Sequence, residues 1–120
     1  MMEIDTKSPA KINLYLKILN KRKDGYHNIE TSFQYIDLYD FLNFKESKND
    51  ISIESNNPIF KNTNNTIFQA ASKMKEYLNS SSGVSIKIEK NIPMGSGLGG
   101  ASSNAASTIL ALNKLWALNL

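Results

Sequence analysis

The chain contains no cysteine and only one histidine, His27. Without cysteine there is no disulfide framework, no thiolate nucleophile and no zinc–cysteine site, and a lone histidine does not complete a metal site. No apolar run approaches the roughly 20 residues that a bilayer-spanning helix needs. Residues 1–11 carry charges where a secretion signal has an apolar stretch. We therefore expect a cytoplasmic protein whose own side chains form no metal site.

Neither basic nor acidic residues are in large excess over the other. The 14 basic and 11 acidic residues leave a net charge of +3, which favours anionic partners only weakly. The one basic cluster, residues 21–23, adjoins Asp24-Gly25 and is typical of a solvated turn rather than a nucleic-acid-binding stripe. With 120 residues, of which 41% are hydrophobic, the chain has the size and composition of one domain.

Glycine is scarce except at one place, where four of the six glycines lie between positions 95 and 100. An apolar, helix-forming run follows at residues 101–118. A glycine-rich loop that opens a helix presents unpaired N–H groups and the positive end of the helix dipole. The pattern predicts a phosphate-binding loop, because a ligand-free turn needs only one or two glycines. Ser102, Ser103 and Asn104 are suited to capping the helix or to adding hydroxyl contacts.

This loop fits neither of two familiar phosphate motifs. It satisfies G-x-G-x-x-G, but no acidic residue follows between 101 and 120, where the dinucleotide motif needs one for the ribose. It also resembles a Walker A loop, except that Ala101 stands where that motif has lysine. We predict a phosphate loop of a third kind.

Period-two alternation predicts strands before the loop. In residues 8–18 it places Lys11 and Asn13 on one face and assigns the core face to Ala10, Ile12, Leu14, Leu16 and Ile18. Asp24-Gly25 predicts a hairpin turn. Further strands are expected at residues 29–38, 40–44, 51–54 and 84–89.

Two helices complete the pattern. The first is expected at residues 67–78, capped by Asn65 or Thr66. The second, at 101–118, has a helical repeat of apolar residues, and Lys114 is its only charge. We expect it to be buried on most sides, through Ala105, Ile109, Leu112 and Trp116 and the neighbouring Ala106, Leu110, Leu115 and Leu118. Together, these elements predict a chain of mixed helices and strands.

Three separated blocks, residues 8–14, 24–27 and 92–106, together resemble the GHMP kinase superfamily. Within it they are similar to the kinases that phosphorylate the 2-hydroxyl of a cytidine diphosphate derivative of methylerythritol, in the non-mevalonate isoprenoid pathway. Residues 45–64 and 79–84 carry little of the resemblance. It implies an α+β fold, namely a ribosomal protein S5 domain 2-like N-terminal domain over residues 1–120, and in the family a ferredoxin-like domain follows.

The resemblance also implies roles for particular residues. Lys11 would be catalytic, and Asn13, Tyr26 and His27 would hold the substrate. Asn65 and Lys90 would lie near the adenine of ATP. The phosphates would lie on the loop formed by Pro93, Met94, Gly95, Ser96, Gly97, Leu98, Gly99, Gly100, Ala101, Ser102 and Ser103.

ATP and Mg²⁺ are the implied cofactors, although no carboxylate here is an obvious magnesium ligand. The family's G-x-D-x-P aspartate and second domain are absent. We therefore expect an N-terminal portion, truncated at its C-terminal end and inactive alone. Its partner would be a small-molecule substrate, with no nucleic acid and no membrane, and the last helix could mediate self-association. The alternative is a non-catalytic RNA- or protein-binding domain of S5-like fold, which would not need four glycines.

Overall fold

The computed structural model describes residues 2–61, 65–77, 81–95 and 97–116; within these ranges the side chains of residues 13, 15–17, 27–31, 59 and 61 are not described. The expectation of mixed helices and strands is confirmed. The elements are β1 (Glu3–Lys21), β2 (His27–Lys48), β3 (Ile51–Ser55), a short 3₁₀ helix (Pro58–Lys61), α1 (Thr66–Tyr77), β4 (Ser82–Glu89) and α2 (Gly100–Leu115).

The described strands form one sheet in the order β1-β2-β4-β3. β2 pairs antiparallel with β1 and with β4, while β3 and β4 run parallel and are connected through α1. Inward side chains of β2 and β4 meet the buried faces of both helices in one core, which includes Leu42, Phe44, Val84, Ile86, Ile88, Ile67, Ala71, Leu112 and Trp116. Because the loop of residues 93–99 leaves β4 and enters α2, this core fixes both of its ends.

β2 is one continuous strand, so the prediction of two strands at 29–38 and 40–44 is wrong. Tyr39 pairs with Pro9 and Ile36 pairs with Ala10, which leaves Asp37 and Leu38 outside the ladder as a bulge. Proline has no N–H to donate to a ladder and is found at such irregularities. The interruption in the sequence pattern therefore corresponds to a bulge within a strand.

The predicted core face of β1 is correct only at its beginning. Ala10 is fully buried, but Ile12, Leu14 and Ile18 are 36%, 57% and 63% exposed, and the side chain of Leu16 is outside the described residues. β4 pairs only with residues 41–48 of β2, so the distal part of the β1–β2 hairpin extends beyond the four-stranded region. The alternation does place these apolar side chains on one face of β1, but the described residues do not cover that face.

α2 also buries a narrower face than predicted. Asn104, Thr108, Ala111, Leu112 and Leu115 are buried, whereas Ile109 and Leu110 are 44% and 67% exposed. The helix packs on the sheet with one face and on α1 with another, and these contacts leave both residues exposed. Leu78 and Leu118 lie outside the described residues.

Candidate active site

Three glycines give the loop its shape. Gly95, Gly97 and Gly99 have φ of 68°, 77° and 72°, in the left-handed region that other L-residues enter at a cost. Positive-φ residues in such loops turn successive N–H groups toward one side, which makes a concave anion site. The loop and the first turn of α2 enclose a cavity of about 170 Å³, here called the loop cavity. Three of the four loop glycines therefore have the positive φ that a glycine cluster predicts, and phosphate binding by the loop stays a prediction.

The start of α2 differs from the prediction. Gly99 is the N-cap and no side chain caps the helix, so Ser102, Ser103 and Asn104 do not act as caps. The Ser103 N–H donates to the Gly99 carbonyl at 2.9 Å, which makes Gly100–Ser102 the first turn. The N–H groups of a first turn have no partner within the helix. They lie beside the loop cavity, where an anion would satisfy them.

Lys11 lies against the loop. Its N–H donates to the Leu98 carbonyl at 2.8 Å. Its side chain crosses Gly99 so closely that a Cβ there would lie 2.7 Å from Lys11 Cε and 2.9 Å from Cγ. The Lys11 Nζ stands 5.0 Å from the ring centroid of Phe33. Two features therefore require glycine at position 99: the positive φ of its backbone and the close approach of the Lys11 side chain.

A second cavity of about 320 Å³ contains Lys11 and is called the Lys11 cavity. Its other lining residues are Pro9, Tyr35, Gly99, Ser102, Ser103, Ala106, Ser107 and Leu110. A hydrogen bond between the hydroxyls of Ser8 and Ser107, 2.6 Å long, holds β1 to α2 beneath it. The Lys11 cavity combines one cation, several hydroxyls and apolar walls, with no carboxylate among its described lining residues.

A third cavity, of about 200 Å³, lies on the other side of the loop and is called the Asn65 cavity. It is lined by Phe60, Asn65, Thr66, Gln69, Lys90, Met94, Ala101 and Asn104. Asn65 caps α1 as predicted, because its Oδ1 accepts from the Phe68 N–H at 2.9 Å. The Thr66 hydroxyl donates to the Ala101 carbonyl at 3.3 Å and ties α1 to α2.

Asn104 was not predicted as a site residue. It is 1% exposed, and its Oδ1 has no hydrogen-bond partner among the described residues. A buried polar atom without a partner is costly, so an atom of this kind at a cavity indicates a missing donor. The sequence signal that could have found Asn104 was its side-chain amide, one helical turn before Thr108 and within the buried face of α2.

Lys90 lines both the loop cavity and the Asn65 cavity. Its ammonium is bonded to Asp40, and the two side chains are 4% and 0% exposed. Lys90 Nζ lies 3.0 Å from the position that a Cβ on Gly100 would occupy. Lys90 therefore lies beside the loop with its charge already paired, and its predicted place near the adenine stays a prediction.

Of the predicted substrate residues, only Tyr26 has a described side chain, and the structure does not place it beside Lys11. Tyr26 follows the Asp24-Gly25 turn, is 74% exposed, and does not line the Lys11 cavity. His27 pairs with Lys21 and Asn13 with Phe33, but the side chains of Asn13 and His27 are outside the described residues, as is Ser96 altogether. The hairpin tip is about ten residues from Lys11, roughly 33 Å of extended strand.

A larger cavity, about 650 Å³, lies elsewhere, on the sheet. Asp5, Glu54 and Glu89 are among its lining residues, and three carboxylates disfavour a phosphorylated ligand. Around the loop cavity no carboxylate belongs to the described lining, so these residues supply no magnesium ligand set. In the described ranges no three His, Cys, Asp or Glu side chains come together as a metal site.

Comparison with known proteins agrees with the motifs. Residues 65–120 match the family of GHMP kinases N terminal domain. The chain is 48% identical over 114 residues to 4-diphosphocytidyl-2-C-methyl-D-erythritol kinase of Acinetobacter baumannii, covering 94% of this chain and 41% of that protein. It is 50% identical over 117 residues to the enzyme of that name from Buchnera aphidicola, covering 91% and 41%.

A solved structure gives the same result. The crystal structure of 4-(cytidine 5'-diphospho)-2C-methyl-D-erythritol kinase aligns with a TM-score of 0.74 at 36% identity, over 94% of this chain and 41% of that one. The mevalonate kinase of Methanococcus jannaschii, at 20% identity and a TM-score of 0.65 over 96% and 41%, shows the shared fold alone. The chain thus spans about two fifths of the length of these relatives, and the resemblance inferred from the motifs is confirmed. Among the described residues, the helices are too short or too polar to cross a membrane.

Proposed function

We propose that this chain is the ATP-binding part of a GHMP kinase that phosphorylates the 2-hydroxyl of 4-diphosphocytidyl-2-C-methyl-D-erythritol. One observation carries the proposal: three cavities lie side by side along the glycine loop. The loop cavity shares Lys90, Met94 and Ala101 with the Asn65 cavity, and Gly99 and Ser102 with the Lys11 cavity. A nucleotide base, its phosphates and an acceptor hydroxyl need three adjoining sites in that order.

The resemblance to the methylerythritol kinases supports the finer assignments. We assign residues 1–120 to an S5 domain 2-like, ATP-binding N-terminal domain. The ferredoxin-like domain and the G-x-D-x-P aspartate of the family would be supplied by segments outside this chain. The substrate would be a small molecule rather than a nucleic acid.

The Asn65 cavity is suited to the adenine. Phe60, Met94 and Ala101 provide apolar contacts for a ring. The Asn104 Oδ1, buried and without a donor among the described residues, would accept a hydrogen bond from an exocyclic amino group. Lys90 lies where this cavity meets the loop cavity, consistent with a position near the base and the first phosphates.

The loop would hold the phosphates. Phosphoryl transfer depends mainly on positioning and on neutralising charge on the transferred group. Backbone N–H groups fixed by Gly95, Gly97 and Gly99, together with the N-terminus of α2, supply oriented dipoles without a Walker lysine. Mg²⁺ accompanies ATP in such reactions, but we assign it no ligand in this chain.

Lys11 would act where the phosphates meet the acceptor. Its stem crosses Gly99 at the boundary of the loop and Lys11 cavities, so its charge would stabilise negative charge on the transferred group and on the acceptor oxygen. Asn13, Tyr26 and His27 would hold the cytidylyl substrate, as the resemblance implies. No carboxylate among the described residues lines the Lys11 cavity to accept the hydroxyl proton, so we expect these 120 residues to bind ATP without turnover.

Calorimetric titration of the 120-residue chain with ATP and with an RNA oligomer tests the proposal. Gly97→Val places a β-branched residue at positive φ inside the loop. Gly25→Val is its matched control, since Gly25 also has positive φ and a Cβ at either glycine would meet no atom of the described residues within 4 Å. We expect ATP binding by the parent and by Gly25→Val, and none by Gly97→Val.

Equal ATP affinity in Gly97→Val and the parent would contradict the assignment of the loop. Tighter binding of RNA than of ATP would favour the non-catalytic binding domain instead.

A further inference from the structure

Asp40 is a charged residue on the core face of β2. It alternates with the buried Leu42 and Phe44, and its side chain is fully buried. A carboxylate removed from water is strongly unfavourable unless cations and hydrogen-bond donors replace the lost hydration. Its neighbours must therefore include such groups.

Among the described residues, the Asp40 carboxylate has three donors, all in the segment that connects β4 to the loop. Its Oδ2 accepts from Lys90 Nζ. Its Oδ1 accepts from the N–H of Asn91 at 2.7 Å and from the N–H of Ile92 at 2.8 Å. Ile92 directly precedes Pro93, the first residue of the loop.

The same segment is held on two other sides. The Asn91 side chain donates to the Tyr39 carbonyl at 2.9 Å, and the Lys90 N–H donates to Asn56 Oδ1 at 2.8 Å. Of the groups that accept hydrogen bonds from this segment, the Asp40 carboxylate is the one that carries a charge. It therefore fixes both the path of residues 90–92 and the position of the lysine ammonium.

The position of that ammonium is electrostatically unusual. Lys90 Nζ lies beside Gly100, the first residue of α2, where the helix dipole is positive and disfavours a cation. The Asp40 carboxylate offsets both positive groups. Without it, the ammonium would be repelled from the start of the helix and from the boundary between the loop and Asn65 cavities.

We infer that Asp40 is a positioning residue for nucleotide binding, which places the Lys90 ammonium and the entry of the glycine loop. The inference rests on the proposed ATP site. Asp40 is not among the described residues that line the three cavities, so it acts through Lys90 and through the amides of Asn91 and Ile92.

Calorimetric titration of the 120-residue chain with ATP tests this, because it yields the dissociation constant and the number of sites separately. Asp40→Asn keeps the shape but removes the charge, and it places an amide against the ammonium. We expect its dissociation constant to rise at least tenfold with about one site per chain. A merely unfolded fraction would lower the number of sites and leave the dissociation constant unchanged.

The matched control is Asp37→Asn, since Asp37 is an exposed carboxylate on the same strand that accepts a hydrogen bond from the Tyr39 hydroxyl at 3.1 Å. We expect parental affinity for it. Lys90→Met should weaken ATP binding by itself, and Asp40→Asn should add less in that background than in the parent.

If Asp40→Asn does not fold, the double variant Asp40→Asn/Lys90→Met removes both buried charges, while the asparagine Oδ1 can still accept from the N–H groups of Asn91 and Ile92. It should fold and bind ATP at least tenfold more weakly. Parental affinity in Asp40→Asn, or in the double variant, would overturn the inference while the ATP site stands. A parent chain that binds no ATP would overturn the proposed function, and this inference with it.

Discussion

Replacing Gly99 with alanine should separate the two reasons why this position needs glycine, namely its positive φ and the close approach of the Lys11 side chain. The φ of Gly99 is 72° and that of Gly97 is 77°, so alanine at either position pays a similar backbone cost of about 1–2 kcal/mol. Of these two positions, only at Gly99 does the new methyl meet a described group, the stem of Lys11, at 2.7 Å from Cε and 2.9 Å from Cγ. Gly97→Ala is therefore a control for the backbone cost.

The collision in Gly99→Ala must move the Lys11 side chain, because the lysine backbone is held in β1 and by the bond from its N–H to Leu98. A displaced ammonium no longer occupies the boundary of the loop and Lys11 cavities. If Lys11 acts in catalysis, kcat should fall by about 10²-fold, the range for one positioned catalytic group. Gly97→Ala should keep its kcat within a few-fold of the parent.

Two assays check this. Urea unfolding of the 120-residue chain gives the free energy of unfolding of both variants, which we expect to be lowered by similar amounts. Initial rates at saturating ATP, measured with the complete gene product, give kcat. Equal kcat in the two alanine variants would refute the argument that position 99 needs glycine to leave room for the Lys11 side chain.

Two further predictions concern neighbouring residues. Lys11→Ala should lower kcat by about 10²-fold in the complete gene product with little change in the KM for ATP, whereas a raised KM at normal kcat would assign Lys11 to uniform binding. Ile109 and Leu110 are the exposed large apolar residues of α2, and exposed apolar patches favour association. The 120-residue chain should therefore self-associate in light scattering, and Leu110→Ser should reduce this. A monomeric parent would contradict that expectation.

The loop could be predicted because its signal is local. Four glycines and the start of a helix are adjacent in sequence, and three of the four have the positive φ that explains them. Lys11 was placed beside the substrate only through the resemblance, since a period-two pattern cannot distinguish a solvent-facing lysine from one that crosses a glycine. Its contact with Gly99 joins residues 88 positions apart, and pattern rules describe only neighbours.

Asp40 was missed for an identifiable reason. A strand boundary was predicted just before it, and a charged residue at the first position of a strand is ordinary. In the continuous β2, the same residue continues the inward alternation of Leu42 and Phe44. The bulge opposite Pro9 produced the apparent boundary, so one local irregularity concealed the buried carboxylate.

The contacts of the loop explain how a glycine-rich sequence can take one defined shape. Glycines lose more conformational entropy on ordering than other residues, so a loop containing several of them is fixed only if its ends and middle are held. Here β2 holds the entry through Asp40 and the amides of Asn91 and Ile92. β1 holds the middle through the Lys11 N–H and the Leu98 carbonyl.

Preorganised donors stabilise developing charge without reorganising when it appears. If the loop binds phosphate as proposed, the tethers from β1 and β2 contribute to that binding together with the glycines. It follows that a change in β2, at Asp40, should alter nucleotide affinity although it touches no cavity of the site.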